Sequence, residues 1–422
     1  MTPLPAVRAG AGTAVVPVPV GTRMDGYGGR VGASTGTLRP LEANALVLDV
    51  DGVTAVLITV DAVAVDAEIV RILRAAVRQQ HGIAPEYVLV AASHTHSGPA
   101  GLRGGEPGAE FDPDQPIRDA YLEAMLAAVG DALAARRPAM LSAQAETVRG
   151  VATHRREPER AIDDTATLVT VDDSTGEPIA MLWHFACHAT VLDAGNTLIS
   201  PDLPGEVRAL LRTRARAAVP TLYLPGAGGD VSTRFTRRGQ DPTELDRFAR
   251  IVVDAWSQSS SPVGVTRPRV WRETLRLPTT HDAAEDILRR LSSATAVLAG
   301  VSAGPARRAA ETTVRGLQRR LDRVRTDASF DAIDVELHAL AFGDLAIAAL
   351  PGEPMAATGL AVRRSSTPPL TLLTGYANGY VGYLPTADQV SGYEAEVAVV
   401  EPGAVSVAVD WFASRLGEAE LS

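Results

Sequence analysis

The sequence predicts a mixed α/β protein in which mixed β-sheets are flanked by helices. Three observations predict it. Apolar runs of strand length recur along the chain, segments with helical spacing alternate with them, and a tight hairpin signal brings antiparallel pairing in beside any parallel pairing. The 422 residues contain no repeats, low-complexity tracts or long linkers, and read as one large catalytic domain, 1–422.

The elements follow in order. Asn44–Val50 and Thr54–Val60 flank Asp51-Gly52, a two-residue turn, and predict a β-hairpin. Glu68–Gln80 sets Ile69, Ile72, Leu73 and Val77 at helical spacing. Tyr87–Ala92 reads as a strand running into a histidine motif. Ile117–Ala135 reads as a helix with Tyr121, Met125, Ala128 and Leu133 on one side. Short strands are expected near 140–148, 166–171 and 178–186, then a helix over 205–217, a strand Thr221–Leu224 and a Gly-rich turn. Residues 281–327 are rich in Ala, Arg, Leu and Asp and break at Gly300–Pro305. They predict a helical hairpin on the side of the domain, its arginine faces solvated surface rather than an anion site. Val335–Phe342 and Leu345–Leu350 read as strands joined by Gly343-Asp344, and 403–417 as a last short helix.

Composition narrows the function. A hydrophobic fraction of 46% with 21% charged residues excludes wholesale disorder. A net charge of −10 argues against nucleic acid as a partner. All 40 basic residues are arginine, which removes Schiff-base lysines, phosphate-loop lysines and Ser–Lys dyads. Cys187 alone allows neither an intrachain disulfide nor a Cys-rich zinc knuckle, and fits a reducing compartment. Prolines 3, 5, 17 and 19 break Met1–Gly21, so no signal peptide is expected there, and no apolar stretch is long enough to span a bilayer. The expectation is a cytoplasmic protein without stable membrane insertion; a homo-oligomer is left open.

Five motifs carry candidate chemistry. Ser93-His94-Thr95-His96-Ser97-Gly98-Pro99 follows a strand; in extended backbone His94 and His96 share a face, as a metal-chelating or acid–base pair or as turn-bonded surface histidines. In Trp183-His184-Phe185-Ala186-Cys187-His188, one histidine could complete a metal site or be a buried structural group, and Asp202 could orient a ligand. Leu224–Ser232 runs a strand into a Gly-rich loop whose amides could cradle an oxyanion, with Ser232 as nucleophile or hydrogen bonder. Pro351-Gly352-Glu353 ends a strand with a carboxylate that is a metal ligand or a helix N-terminal charge. Gly375–Tyr383 is a Gly- and Tyr-rich loop, for packing or for catalysis, with Tyr393-Glu394 beyond it. Gly32-Ala33-Ser34-Thr35-Gly36 lacks the strand–turn–helix context of a nucleophile elbow, Asp112 and Asp114 read as a turn, and His-Glu-x-x-His is absent.

In this order the motifs resemble the neutral/alkaline ceramidase family, specifically its N-terminal catalytic domain. The resemblance runs from the start of the sequence, where Val20-Gly21 and Gly26-Tyr27-Gly28-Gly29-Arg30 look like the family's opening, to Tyr393-Glu394. It implies a zinc ion held by His94, His188, Glu353 and Tyr383, with His96 and Arg155 around the scissile amide and Ser232 as the serine of family catalysis. Thr233-Arg234 depart from the family's Pro-Asn after that serine, and the family's C-terminal immunoglobulin-like domain is not expected in the 29 residues past Tyr393. The expected function is zinc-dependent hydrolysis of an amide bond in a small-molecule or lipid-like substrate, by activated water or by attack of Ser232. Ester or lactone hydrolysis, acyl transfer in the same pocket, and a non-catalytic binding protein are the alternatives.

Overall fold

The computed structural model describes residues 7–103, 112–257, 259–302, 305–326 and 331–417. Its first sheet contains β1 (Val7–Val16), β2 (Leu41–Val50), β3 (Val53–Val60), β4 (Val88–Ala92), β5 (Arg137–Thr147), β6 (Thr165–Asp173), β7 (Pro178–Phe185) and β8 (Thr221–Pro225). The order across it is β8-β7-β6-β5-β1-β2-β3-β4, with the short strand Ser261–Pro262 also paired to β5. The second sheet is β9 (Arg269–Pro278), β10 (Ala332–Phe342), β11 (Leu345–Ala349) and β12 (Leu370–Thr374), in that order. The predicted hairpin is β2–β3, turned at Asp51 (φ 50°) and Gly52 (φ 76°), the left-handed pair that a tight hairpin needs.

The central strand β1 was not among the expected elements. Its Gly10 and Gly12 explain why it looks unlike a strand. A Cβ at either would lie 2.1 Å from the Ala132 carbonyl oxygen or 2.2 Å from that of Ala128, so the glycines let helix α2 (Gln115–Ala134) lie directly on the backbone. Strand propensity gives way here to close packing.

Four layers result. Helices α1 (Ala67–His81) and α2 cover β1–β4 through Ile69, Leu73, Tyr121 and Met125. The opposite faces of the two sheets meet, where Leu46, Leu57, Leu89, Leu182 and Leu222 pack on Leu340, Phe342 and Ile347. Helices α3 (Asp202–Ala215) and α4 (Pro242–Ala255) cover β6–β8 through Val207, Leu211, Phe248 and Val252. Helices α7 (Ala356–Ser365) and α9 (Ser406–Leu416) cover the outside of the second sheet through Val362, Trp411 and Phe412. β11 shows the period of two plainly: Leu345, Ile347 and Ala349 face the first sheet, Ala346 and Ala348 the outer helices.

The predicted helical hairpin is α5 (Ala284–Gly300) and α6 (Pro305–Arg325); residues 303, 304 and 327 of that reading lie outside the described residues. The pair has a small core of its own, Ile287, Leu317 and Leu321. It docks on the short helix α8 (Tyr393–Val397) at Gly316, where a Cβ would stand 3.1 Å from that of Glu396. Among the described residues no helix is long and apolar enough to cross a membrane.

Within the two large sheets, three strand pairs among the described residues are parallel: β3 with β4, β7 with β8, and β11 with β12. Parallel neighbours end on the same side, so the loops after each pair emerge together. Backbone bonds tie these loops to one another: the Ala92 amide donates to Tyr376 O, Gly226 to Phe185 O, Gly375 to Pro225 O and Tyr376 to Gly352 O. The carboxyl ends of all three pairs therefore feed one place.

Candidate metal centre

His94 follows β4, His188 follows β7 and Glu353 follows β11. Their polar atoms meet. His94 Nε2 lies 3.5 Å and His188 Nε2 3.1 Å from Glu353 Oε2, and all three residues are buried. His96 joins them with its Nε2 3.2 Å from that of His94, and the ligand atoms of the three histidines lie within 4.8 Å of one another. The convergence is not the strand alternation expected from His-x-His. β4 has ended at Ala92, and His94 has φ 61°, a left-handed conformation that costs a non-glycine residue roughly 1–2 kcal/mol. A turn, not a pleat, brings the two rings together.

Neighbouring carbonyls fix the imidazole tautomers. His94 Nδ1 is 2.7 Å from Val63 O, in the loop after β3, and His188 Nδ1 is 2.6 Å from Gly228 O, in the loop after β8. A carbonyl only accepts, so each Nδ1 carries its proton and each Nε2 turns a lone pair inward. Burial, more than any other cause, depresses the His188 pKa, and it pushes that of His96 well down, aided by the His94 and His188 rings. Burial alone would raise the Glu353 carboxyl, but the His94 and His188 imidazoles hold it well below the usual carboxylate range. Glu353 Oε1 accepts from Tyr380 Oη at 2.5 Å; Oε2 is buried with no hydrogen-bond partner. With each ring neutral, two imidazole lone pairs and a carboxylate oxygen face one another, and a cation of the zinc class fits that donor set.

Tyr383 pairs with Glu353 as a backbone bridge, and its hydroxyl accepts from Arg155 Nη2 at 3.0 Å. Arg155 Nη1 lies 3.4 Å from His188 Nε2, and its Nε is paired with Glu394. Burial opposes the Arg155 charge, but Glu394 and Tyr383 hold its pKa well up; burial also pushes the Tyr383 phenol far up, against the pull of Arg155. Arg155 therefore stands behind Tyr383 and His188. A cleft of about 280 Å³ opens over the centre, lined by Asp25, His94, His96, Glu353, Tyr380 and Tyr383, with Arg103, Arg319, Arg320 and Arg323 on its wall. The arginine face of α6 thus borders the centre, where sequence reasoning expected solvated surface.

Ser232 does not line this cleft. It is buried in a two-residue bridge with Thr153, and its Oγ accepts from the Arg234 amide at 3.4 Å. The Gly-rich loop before it braces the site rather than offering a cradle of amides. Gly226 and Gly229 already donate to Phe185 O and Pro354 O, and a Cβ at Gly229 would lie 2.7 Å from Glu353 O. Asp230 accepts from the Ala356 amide at 2.8 Å and from Gln389 Nε2 at 2.7 Å. His184 lies apart, its Nε2 on Leu373 O at 2.9 Å. Asp202 orients no histidine: its carboxylate takes the Val191, Leu192 and Leu203 amides, and burial pushes its pKa up to about 6.

Sequence reasoning passed over several supports. Tyr376 stacks on His94 with ring centroids 3.9 Å apart, and Tyr380 holds Glu353. Gly26 leaves room for His96, since a Cβ there would stand 2.5 Å from the ring, and Arg30 Nη2 donates to His96 O at 2.7 Å. The repeated tyrosines were the available signal for the first two. Nothing in the sequence marks Val63 or Gly228, whose contribution is a backbone carbonyl.

Comparison with known proteins places the fold. The fold matches a solved ceramidase complexed with C2 at a TM-score of 0.75 with 16% identity, over 98% of this chain and 75% of that one. It matches the neutral ceramidase of Pseudomonas aeruginosa at 0.75 with 17% identity, over 98% and 74%. No curated protein matches the chain. The family model for the N-terminal part of neutral/alkaline non-lysosomal ceramidases matches residues 8–220, half of the sequence, and those residues supply His94, His96, Arg155 and His188. The chain belongs to the neutral/alkaline non-lysosomal ceramidase family.

Proposed function

We infer that the protein is a zinc-dependent amidohydrolase that cleaves an N-acyl bond at this centre. One observation carries the reading: Glu353 Oε2 is buried without a hydrogen-bond partner between two imidazole nitrogens whose lone pairs face it. His94, His188 and Glu353 would hold the ion, with Tyr383 as the fourth ligand beside them. Zinc, when bound, polarises an amide carbonyl and brings the pKa of a coordinated water toward neutrality.

The chain's own residues do the rest. Val63 O and Gly228 O hold the two ligand rings in the required tautomer. Tyr380 takes one carboxylate oxygen and so leaves the other to the ion. His96 lines the cleft, is kept neutral by burial, and has a buried Nδ1 without a partner. It is placed to take up a proton and to deliver it to the leaving amine, work worth roughly 10²–10⁴ in rate. Arg155 fixes the Tyr383 hydroxyl and adds positive charge near the carbonyl oxygen as that oxygen becomes anionic.

The test is elemental analysis and turnover together. Purified protein should carry equimolar zinc, and release of free amine from an N-acyl probe should vanish on chelation and return with zinc. Failure to bind zinc at micromolar concentration, or a zinc-loaded protein that frees no amine from short- or long-chain N-acyl probes, overturns the reading.

A further inference from the structure

The wall opposite the metal centre is arginine. Arg319, Arg320 and Arg323 of α6 line the cleft with Arg103, while its carboxylates are Asp25 and Glu353. Asp25 is bound by Arg103 through both oxygens, and Glu353 faces the imidazoles. Asp282 and Glu396, the carboxylates at the base of the hairpin, are each shared by Arg290 and Arg320. Arg323 spends one nitrogen on a neutral acceptor, Ala398 O at 3.1 Å, and Arg319 Nη1 reaches the Tyr393 hydroxyl at 3.5 Å. Burial lowers the pKa of Arg323, and the Arg320 charge beside it lowers it further, against the pull of Asp282. Guanidinium groups are thus gathered on one side of a small space, where an anionic oxygen group can take charge-assisted hydrogen bonds from them. The cleft, about 280 Å³, is at the small end for ligand pockets and bordered by guanidinium groups, a poor fit to a long neutral alkyl chain.

We propose that Arg319 and Arg323 select an N-acyl substrate carrying an anionic oxygen group, a carboxylate or a phosphate, on the amine side of the scissile amide. The proposal rests on the amidohydrolase reading for its reaction, and on the arginine wall for its selectivity. Cleavage adds water across the amide, giving a carboxylic acid and a free amine that retains the anionic group. Arg323 and Arg319 act as specificity-determining residues, and Arg320 is a positioning residue tied down by Asp282 and Glu396.

The experiment compares three probes with one acyl chain: N-octanoylglycine, N-octanoyl-ethanolamine and its phosphate ester. Zinc-loaded full-length protein is assayed for amine release, and binding of each probe to the zinc-free protein is followed by calorimetry. The expected result is a kcat/KM at least tenfold higher for one or both anionic probes than for the neutral one, with the better anion naming the group. The anionic-to-neutral ratio should fall at least tenfold in Arg323→Gln, further in the Arg319→Gln/Arg323→Gln pair, and hold in Arg325→Gln, whose side chain is exposed. Equal rates for all probes in the wild type overturn the proposal whether or not the variants fold. If no probe is cleaved, the amidohydrolase reading fails by itself, and calorimetry decides the wall: anion binding that weakens tenfold in Arg323→Gln supports it, and binding indifferent to charge overturns it.

Discussion

The metal centre and the wall across from it are built in opposite ways. The centre is assembled from loops that leave three parallel strand pairs, and each of its groups is held by backbone: His94 by Val63 O, His188 by Gly228 O, the Glu353 segment by Gly229 and Gly382. The wall is a helical hairpin with a core of three buried residues, and it meets the cleft through long side chains. The first design fixes atoms to within a few tenths of an ångström, as a reacting group requires. The second presents charge on flexible stems, which suits recognition of a group that the chemistry does not touch. Reaction and selectivity are therefore separable here, and substitutions on the two sides should separate them.

The largest effect is expected at Glu353. Glu353→Ala removes the charged member of the donor set, and it should abolish zinc retention and lower kcat/KM by at least ~10³, since the charge stabilisation that the metal supplies goes with it. Metal analysis of the dialysed variant checks it; a Glu353→Ala protein that keeps its zinc breaks the assignment. His96→Ala should do less. It is expected to keep zinc yet lose roughly 10²-fold in kcat as a proton carrier does. Equal loss of metal in His94→Ala and His96→Ala would place His96 among the ligands, which its Nε2, 3.2 Å from that of His94, makes a fair contest.

The same contrast explains what was legible beforehand. Side chains at strand ends stood out as candidates: His94, His188 and Glu353 each follow an apolar run, but the runs left His184 open beside His188 and Glu353 open as a helix N-terminal charge, and the family resemblance chose between them. The β2–β3 hairpin was equally plain because Asp51-Gly52 is a local rule obeyed locally. β1 was not, since Gly10 and Gly12 answer to a helix more than a hundred residues away. The left-handed turn at His94 was hidden for a related reason: it is imposed by loops tied together from both sheets, not by the residues beside it. The wall was misjudged because an arginine-rich helical face looks alike whether it meets solvent or a cleft, and only the docking of Gly316 on α8 decides which.

Asp202 sharpens the comparison through pH. It braces the turn after His188 through the Val191 and Leu192 amides and also takes that of Leu203, and burial raises its carboxyl to about 6 in the folded chain against roughly 3.9 unfolded. Below pH 4 both states hold the proton and the group is neutral in its effect. Between pH 4 and 6 the unfolded chain ionises first, so stability falls as pH rises, by about 3 kcal/mol in all, and is level above that. Thermal melts across pH 4–7 should show this slope in the wild type and not in Asp202→Asn; parallel curves would mean that the carboxyl stays ionised in the fold.

The smallest effect is expected on the wall. Leu321 is one of three buried residues in the hairpin core, and its truncation to alanine should cost about 2–3 kcal/mol, the lower part of the range for such changes, because so small a core can collapse around the gap. The loss should be local. Amide hydrogen exchange is expected to quicken within 284–325 and to stay unchanged at β4 and β11, with zinc content untouched. The arginines would then no longer be held over the cleft, so discrimination between charged and neutral probes should weaken while turnover of the neutral probe persists. If Leu321→Ala instead strips the metal, the hairpin is part of the centre's framework, and the separation between a rigid reacting side and an adjustable selecting side is wrong.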